Sequence, residues 1–234
     1  MILLETAFCP PISYMAAIAN EFTLPSDRVN CFIPGKVCIE ACENYQKQSY
    51  RNRCKIYGAN GTESLSFPVV HEEGTYALPI RSIRVDYSTD WTRTFERAVV
   101  SAYKSSAWFD YYKDEFFAII DSRIEHLFDM NMALLKYFLD KTHIPAEIST
   151  TVTFFRKGSH DAESSAPATK DLRGVIHPKK DNTILRDLEL EKPYYQVFSR
   201  KYGFIQDLSV MDLLFNEGPD SLSYLKNIRT SNRK

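Results

Sequence analysis

Hydrophobic positions along this chain fall into blocks with different periods. Ile2 to Phe8 is an almost continuous apolar run, which predicts a buried strand ending at Cys9-Pro10-Pro11. Proline has no backbone N–H and a fixed φ, so the pair stops a strand and can open a helix. Ile12, Met15 and Ile18 recur at helical spacing and predict a short helix to about Asn20. A second short strand is expected near Glu21 to Leu24, so the opening reads as a parallel βαβ unit.

The pattern changes from Lys55. Cys54 to Tyr57 and Ser64 to Val70 are rich in strand formers and flank Gly58-Ala59-Asn60-Gly61, which predicts a hairpin turning at Asn-Gly. Ile80 to Tyr87 alternates apolar and charged positions and predicts another strand. Three helices follow. Trp91, Phe95, Ala98, Val99 and Ala102 share one face behind Ser88, Thr89 and Asp90 as cap candidates. Phe109, Tyr112, Phe116 and Ile119/Ile120 mark the second helix, and Leu127, Leu134/Leu135 and Phe138 the third, which ends before Pro145. Glu147 to Phe155 alternates and predicts a strand. Residues 156–174 turn small and polar, too poor in apolar surface to offset their ordering entropy, and predict a mobile loop. Ser209-Val-Met-Asp212 reads as a capping box before Leu213/Leu214/Phe215, with Gly218-Pro219 as the stop.

Composition adds limits. With 234 residues, 44% of them hydrophobic, the chain can bury a core without a disulfide or metal staple, and it reads as one domain over 1–234. A net charge of −1 gives no global pull toward nucleic acid or anionic lipid, so anion recognition has to be local. No run approaches the roughly eighteen apolar residues of a membrane span. The N-terminus lacks a basic region ahead of its apolar run, and five cysteines in a chain of this length fit reduced thiols. The expected location is the cytoplasm.

The most unusual block is Glu43-Asn-Tyr-Gln-Lys-Gln-Ser-Tyr-Arg-Asn-Arg53, nearly devoid of aliphatic residues. Arg51 and Arg53 can each grip a phosphate or carboxylate with two parallel hydrogen bonds. Gln46, Gln48 and Asn52 both donate and accept, as sugar or amide recognition requires, and Tyr45 and Tyr50 offer flat faces to a ring. The same composition also describes a solvated loop. Arg173 and His177-Pro178-Lys179-Lys180 form a second basic spot, with His177 and Lys179 as candidates to assist chemistry and Arg173 to bind an anion. Cys38 and Cys42 share an i, i+4 helical face, flanked by Cys31 and Cys54, but no histidine lies near enough to complete a zinc site, so no metal is expected. Cys9 reads as a core thiol, and His71 and His160 fall in polar loops. Phosphate loops, Gly-rich dinucleotide fingerprints, nucleophile elbows and His-Glu-x-x-His helices are absent, which argues against the large NTPase, kinase, α/β-hydrolase and zincin classes. No cofactor is identified.

Residues 39–61, IEACENYQKQSYRNRCKIYGANG, followed by SLSFPV, resemble the signature block of the WbqC-like protein family. CPPISYMAAI at 9–18 resembles its first strand-loop-helix, and DYSTDW, SAYKSSAWFDYY, IHPKKDNTILRDL and KPYYQVFSRKYGFIQDLSVMDLLFNEGP resemble one branch of it. The family takes its name from genes in O-antigen clusters, so the resemblance implies a link to surface polysaccharide assembly. It singles out Asn52 and Arg53, with Arg51 before them. Many relatives carry His-Gln-Pro in the first strand where Leu4-Glu5-Thr6 stands here, which implies different chemistry, or none, in this branch.

Together these readings give an α/β fold of three layers, with a mostly parallel sheet, an inserted β-hairpin and a helical layer; α+β is the alternative. The expected function is an enzyme modifying a small activated metabolite by group transfer for polysaccharide or envelope synthesis. Arg51 and Arg53 would hold an anionic or nucleotide-sugar-like ligand, and Asn52, Gln46 and Tyr45 would orient its polar part. The alternative is a non-catalytic binding or scaffold protein using the same surface.

Overall fold

The computed structural model describes residues 1–22, 35–70, 78–154, 169–181 and 183–228. Strand β1 (Ile2–Glu5) lies between β2 (Gly35–Glu40) and β6 (Lys170–Asp171), and β5 (Ala146–Thr150) borders β2 on its far side. All three pairings are parallel. Ile2, Leu3 and Leu4 are buried, as expected of a strand covered on both faces. The register aligns Leu4 with Ile39 and Glu5 with Glu40, so two neighbouring strands both end in glutamate at the same level.

Helix α1 (Ile12–Ala19) carries the chain from β1 to β2 and confirms the parallel βαβ opening. The return strand is β2, not a strand near Glu21: Glu21 and Phe22 form a turn, and Thr23 and Leu24 lie outside the described residues. Cys38 lies on β2 and Cys42 just beyond it, so the two share no helical face. Cys31, His71 and His160 lie outside the described residues.

The expected hairpin is present as β3 (Arg53–Gly58) and β4 (Gly61–Ser66), joined through Ala59 and Asn60. Gly61 alone in that turn takes positive φ (101°), so the glycine and not Asn60 absorbs the reversal. Helices α2 (Trp91–Tyr103), α3 (Phe109–Asp121) and α4 (Leu127–Lys141) follow the sequence pattern closely. Phe95, Val99 and Ala102 are buried at helical spacing. Two short helices, α5 (Ile184–Asp187) and α6 (Ser199–Tyr202), precede α7 (Val210–Glu217), and the Phe116 ring links the helical layer to α7 by meeting Phe95, Phe138 and Phe215 at 6.2, 5.9 and 6.1 Å.

Ile80 to Tyr87 is not a strand. It opens with a 3-10 turn at Ile80–Ser82 and then makes only isolated bridges, Val69 to Val85 and Arg84 to His126. Ile83 and Val85 are buried while Arg84 points outward, so the alternation is real but no ladder forms around it. Of 156–174, residues 169–174 are described and supply β6, two polar residues paired with Ile2 and Leu3; 156–168 lie outside the described residues.

The C-terminal part closes on the Pro10-Pro11 turn. Val210 N–H donates to Pro10 O (2.8 Å), Ile12 N–H to Leu208 O (2.9 Å) and Ser209 Oγ to Cys9 O (2.9 Å), so carbonyls without a local ladder find donors there. Ser209 caps α7 by accepting from Met211 N–H (3.3 Å), and Gly218 ends that helix at φ 54°. Asp212 does not complete a capping box. Its buried carboxylate instead takes hydrogen bonds from Tyr194 and from Gln196 Nε2 (2.9 Å). Among the described residues no helix is long and apolar enough to cross a membrane.

Candidate functional site

The sheet order places β1 at a switch point: the chain builds outward through β2 and β5, then returns to the opposite side of β1 at β6. In open parallel sheets, ligands bind outside the carboxyl ends of the strands at such a point. A cavity of about 650 Å³ opens there. Glu5 enters from the end of β1; Cys42, Glu43, Asn44 and Gln46 come from the segment after β2; Phe154 follows β5; Arg173, Gly174 and Lys180 follow β6.

At this cavity four carboxylates, Glu5, Glu40, Glu43 and Asp171, meet two guanidiniums, Arg51 and Arg173. Arg51 donates from Nε to Glu43 Oε1 (3.0 Å) and from Nη2 to Glu43 Oε2 (2.5 Å), and the same Nη2 reaches Glu5 Oε1 at 2.9 Å. Arg173 forks onto Asp171 (Nε to Oδ1 3.0 Å, Nη2 to Oδ2 2.8 Å) and donates Nη1 to Glu40 Oε2 at 2.8 Å. Glu40 is fully buried and also accepts from Thr151 Oγ1 (2.5 Å) and Cys42 N–H (2.9 Å). A buried charge needs this degree of pairing to persist.

The balance of burial and pairing differs among these groups. Burial pushes the Glu43 carboxyl up, Arg51 pulls it down through charge and hydrogen bonding, and Glu5 and Glu40 push it up again, leaving it at about 7. Arg51 is weakened by burial, but Glu43 and Glu5 more than restore its charge. The His177 imidazole is held below its ordinary value by burial and by Lys180, against the pull of Glu5, with Arg51 and Lys179 adding to the lowering. Its Nδ1 accepts from Lys179 N–H at 3.2 Å.

The structure divides the residues singled out in the sequence. Gln46 and Arg173 line the large cavity. Arg51 lies just below it with a side chain only 1% exposed, and the guanidinium offered to an anion is already held by Glu43 and Glu5. Tyr45, Asn52 and Arg53 line a different cavity of about 260 Å³, together with Gln48. Asn52 Nδ2 donates to Phe67 O (2.8 Å), and Arg53 Nε is buried without a hydrogen-bond partner among the described residues. Lys179 donates to Gln48, which ties the second basic spot to the 43–53 block. Glu5, Glu40, Glu43 and Asp171 are not among the sequence-predicted site residues, although Glu5 is the one charged residue in the apolar run Ile2 to Phe8. Among the described residues no group of three or more His, Cys, Asp or Glu side chains is placed to hold a metal ion.

The class is thus an open α/β sheet with a charged crevice at its switch point. The WbqC-like protein family matches residues 34–224, and the chain belongs to that family. It is also 25% identical over 198 residues to an uncharacterized protein of Mycobacterium tuberculosis, Rv1507c, covering 79% of this chain and 85% of that one. No solved structure matches.

Proposed function

We propose that the protein is a group-transfer enzyme acting on a small activated metabolite in the 650 Å³ crevice, in the service of surface polysaccharide or envelope synthesis. The observation that carries this reading is Glu43, a carboxyl on the cavity wall with its proton affinity set at about 7. A general base works best when its pKa lies near the operating pH. In this reading Glu43 takes a proton from the acceptor nucleophile as that atom bonds to the donor's electrophilic centre. The bond to the leaving group breaks with its electron pair, and the resulting negative charge falls to Lys180. Arg51 fixes the plane of the Glu43 carboxylate, Asn44 and Gln46 orient the acceptor, and His177 and Lys179 assist from the β6 side. Arg53, with Tyr45 and Asn52, takes an anionic part of the donor in the smaller cavity. The O-antigen association of the family supports the polysaccharide setting.

The competing reading is a non-catalytic binding or scaffold protein, favoured by the closure of both Arg51 and Arg173 on carboxylates. Mass spectrometry of reactions pairing nucleotide sugars or acyl donors with sugar and amine acceptors separates the two. A transfer product lost about 10²-fold or more in Glu43→Gln, with the fold intact, is the expected result. Binding of a ligand without turnover, unchanged in Glu43→Gln, favours the scaffold.

A further inference from the structure

The charges around the crevice bear on what it binds. Both guanidiniums aim their forks at protein carboxylates, Arg51 at Glu43 and Glu5, Arg173 at Asp171 and Glu40. On the side formed by Glu5 and Glu43, what remains is acceptor. Glu5 uses Oε1 on Arg51, while Oε2 has no partner among the described residues on a side chain that is 16% exposed. Glu43 has one donor on each oxygen and keeps a further acceptor site on both. Glu5 and Glu43 share one nitrogen of Arg51, so their carboxylates stand side by side. Next to them, the side-chain amides of Asn44 and Gln46 are exposed and unpartnered among the described residues. Lys180, the lining ammonium, donates to the neutral Gly174 carbonyl (3.2 Å) at the β6 side.

We propose that the acceptor bound in this crevice carries a primary amine, held as ammonium by Glu5 and Glu43, with its hydroxyl or carbonyl groups on Asn44 and Gln46. The assignment rests on the group-transfer reading for the word acceptor, but its binding geometry does not. A phosphate or carboxylate placed against Glu5 and Glu43 would meet two carboxylates with their guanidinium already engaged, and like charges at hydrogen-bond distance repel. A neutral alcohol would satisfy the acceptors without using their charge. An ammonium supplies three donors on one centre, enough for Glu5 Oε2, a Glu43 oxygen and an amide oxygen together.

The test is isothermal titration of the full chain at neutral pH with glucosamine, glycinamide, N-acetylglucosamine and inorganic phosphate. Glucosamine and glycinamide carry the amine on a sugar and on an amino-acid skeleton, so their ranking identifies the source of the amine. The expected result is binding by one or both amines, at least about tenfold weaker for N-acetylglucosamine, in which the charge is removed. Glu5→Gln should weaken the amine by a similar factor and Glu5→Asp by less. The comparison of amine with N-acetyl sugar uses wild-type protein alone and holds even if the Glu5 variants fold poorly. Equal binding of glucosamine and its N-acetyl form, or amine affinity unchanged in a folded Glu5→Gln, overturns the ammonium site. Phosphate binding with neither amine bound also overturns it and leaves group transfer standing. Failure of the transfer screen alongside amine binding overturns the enzyme reading and keeps the ammonium site.

Discussion

Arg51 and Glu43 form a two-pronged pair, Nε to Oε1 at 3.0 Å and Nη2 to Oε2 at 2.5 Å, with the arginine side chain 1% exposed. Eight residues separate them along the chain, and the tight segment between them turns the fork back onto the carboxylate. Asn131 Nδ2 adds to the hold by donating to Arg51 O at 2.8 Å from α4. Within the 43–53 block Glu43, Ser49, Arg51 and Asn52 are therefore buried and bonded, while Gln46, Lys47 and Gln48 stay exposed.

Removing that arginine strands buried carboxylates. Arg51→Ala should cost about 3–5 kcal/mol of unfolding free energy, measured by urea titration. Arg51 pulls the Glu43 carboxyl down, so its loss raises that group further and the deficit should be larger at pH 8 than at pH 5. A loss under about 0.5 kcal/mol, as at an ordinary surface site, would show that the pair contributes nothing to the fold.

Arg173 and Lys179, taken from the same basic stretch, should behave oppositely. Arg173→Ala takes away the guanidinium that donates to Glu40 Oε2 at 2.8 Å, on a carboxylate with 0% exposure. A loss near the lower end of the same range, about 3 kcal/mol, is expected. Arg173→Lys should recover little, because a single ammonium cannot fork onto Asp171 and reach Glu40 together. Lys179→Ala, at an exposed position, should stay within about 0.5 kcal/mol. Equal melting temperatures for Arg173→Ala and Lys179→Ala would contradict this division.

Much of this fold was readable wherever local periodicity and long-range packing agree. The faces of α2, α3 and α4, the Gly58 to Gly61 hairpin and the β1-to-α1 opening are cases where side-chain spacing alone decides which surface is buried. Strand β2 was not readable in that way. Cys38 and Cys42 suggest a helical pair, and only pairing with Ile2–Glu5 and Ala146–Thr150 makes the segment extended. Strand β6 was hidden because Lys170 and Asp171 are polar, and their pairing with Ile2 and Leu3 decides their state. Within the site, Gln46 and Arg173 were legible as polar residues in unusual surroundings. The engagement of Arg173 by Glu40 was not, since 133 residues separate them and a sequence displays charges without their partners.

At the end of α7, Gly218 takes φ 54° and lies under the Trp108 indole, where a β-carbon would stand 2.4–2.6 Å from ring atoms. Gly218→Ala should therefore lose roughly 2–4 kcal/mol, combining left-handed strain with overpacking. In a double-mutant cycle, Trp108→Ala should remove the overpacking share and leave the backbone share, a coupling of at least about 1 kcal/mol. Additive losses would mean that the ring moves aside freely and that backbone conformation alone requires glycine.

Glu43 links the site to stability through pH. Its folded carboxyl keeps a proton up to about 7, whereas an ordinary carboxyl of this kind releases it at 4.5, so between these values the folded state binds more protons than the unfolded. Stability from this group is full below the lower value and is lost as pH rises through the upper one, by about 3 kcal/mol in all. Asp212 acts with the same sign in a lower window, since burial lifts it from 3.8 to about 6 against hydrogen bonds from Tyr194, Gln196 and Tyr103. Glu43→Gln deletes only the first contribution. Unfolding free energies from urea titrations of wild type and variant, taken from pH 4 to pH 8, should therefore shift relative to one another in the variant's favour by about 3 kcal/mol, most steeply between pH 5 and pH 7. Parallel curves would mean that Arg51 keeps Glu43 ionised throughout, and a carboxylate so firmly held would be too weak a base for the proposed proton transfer.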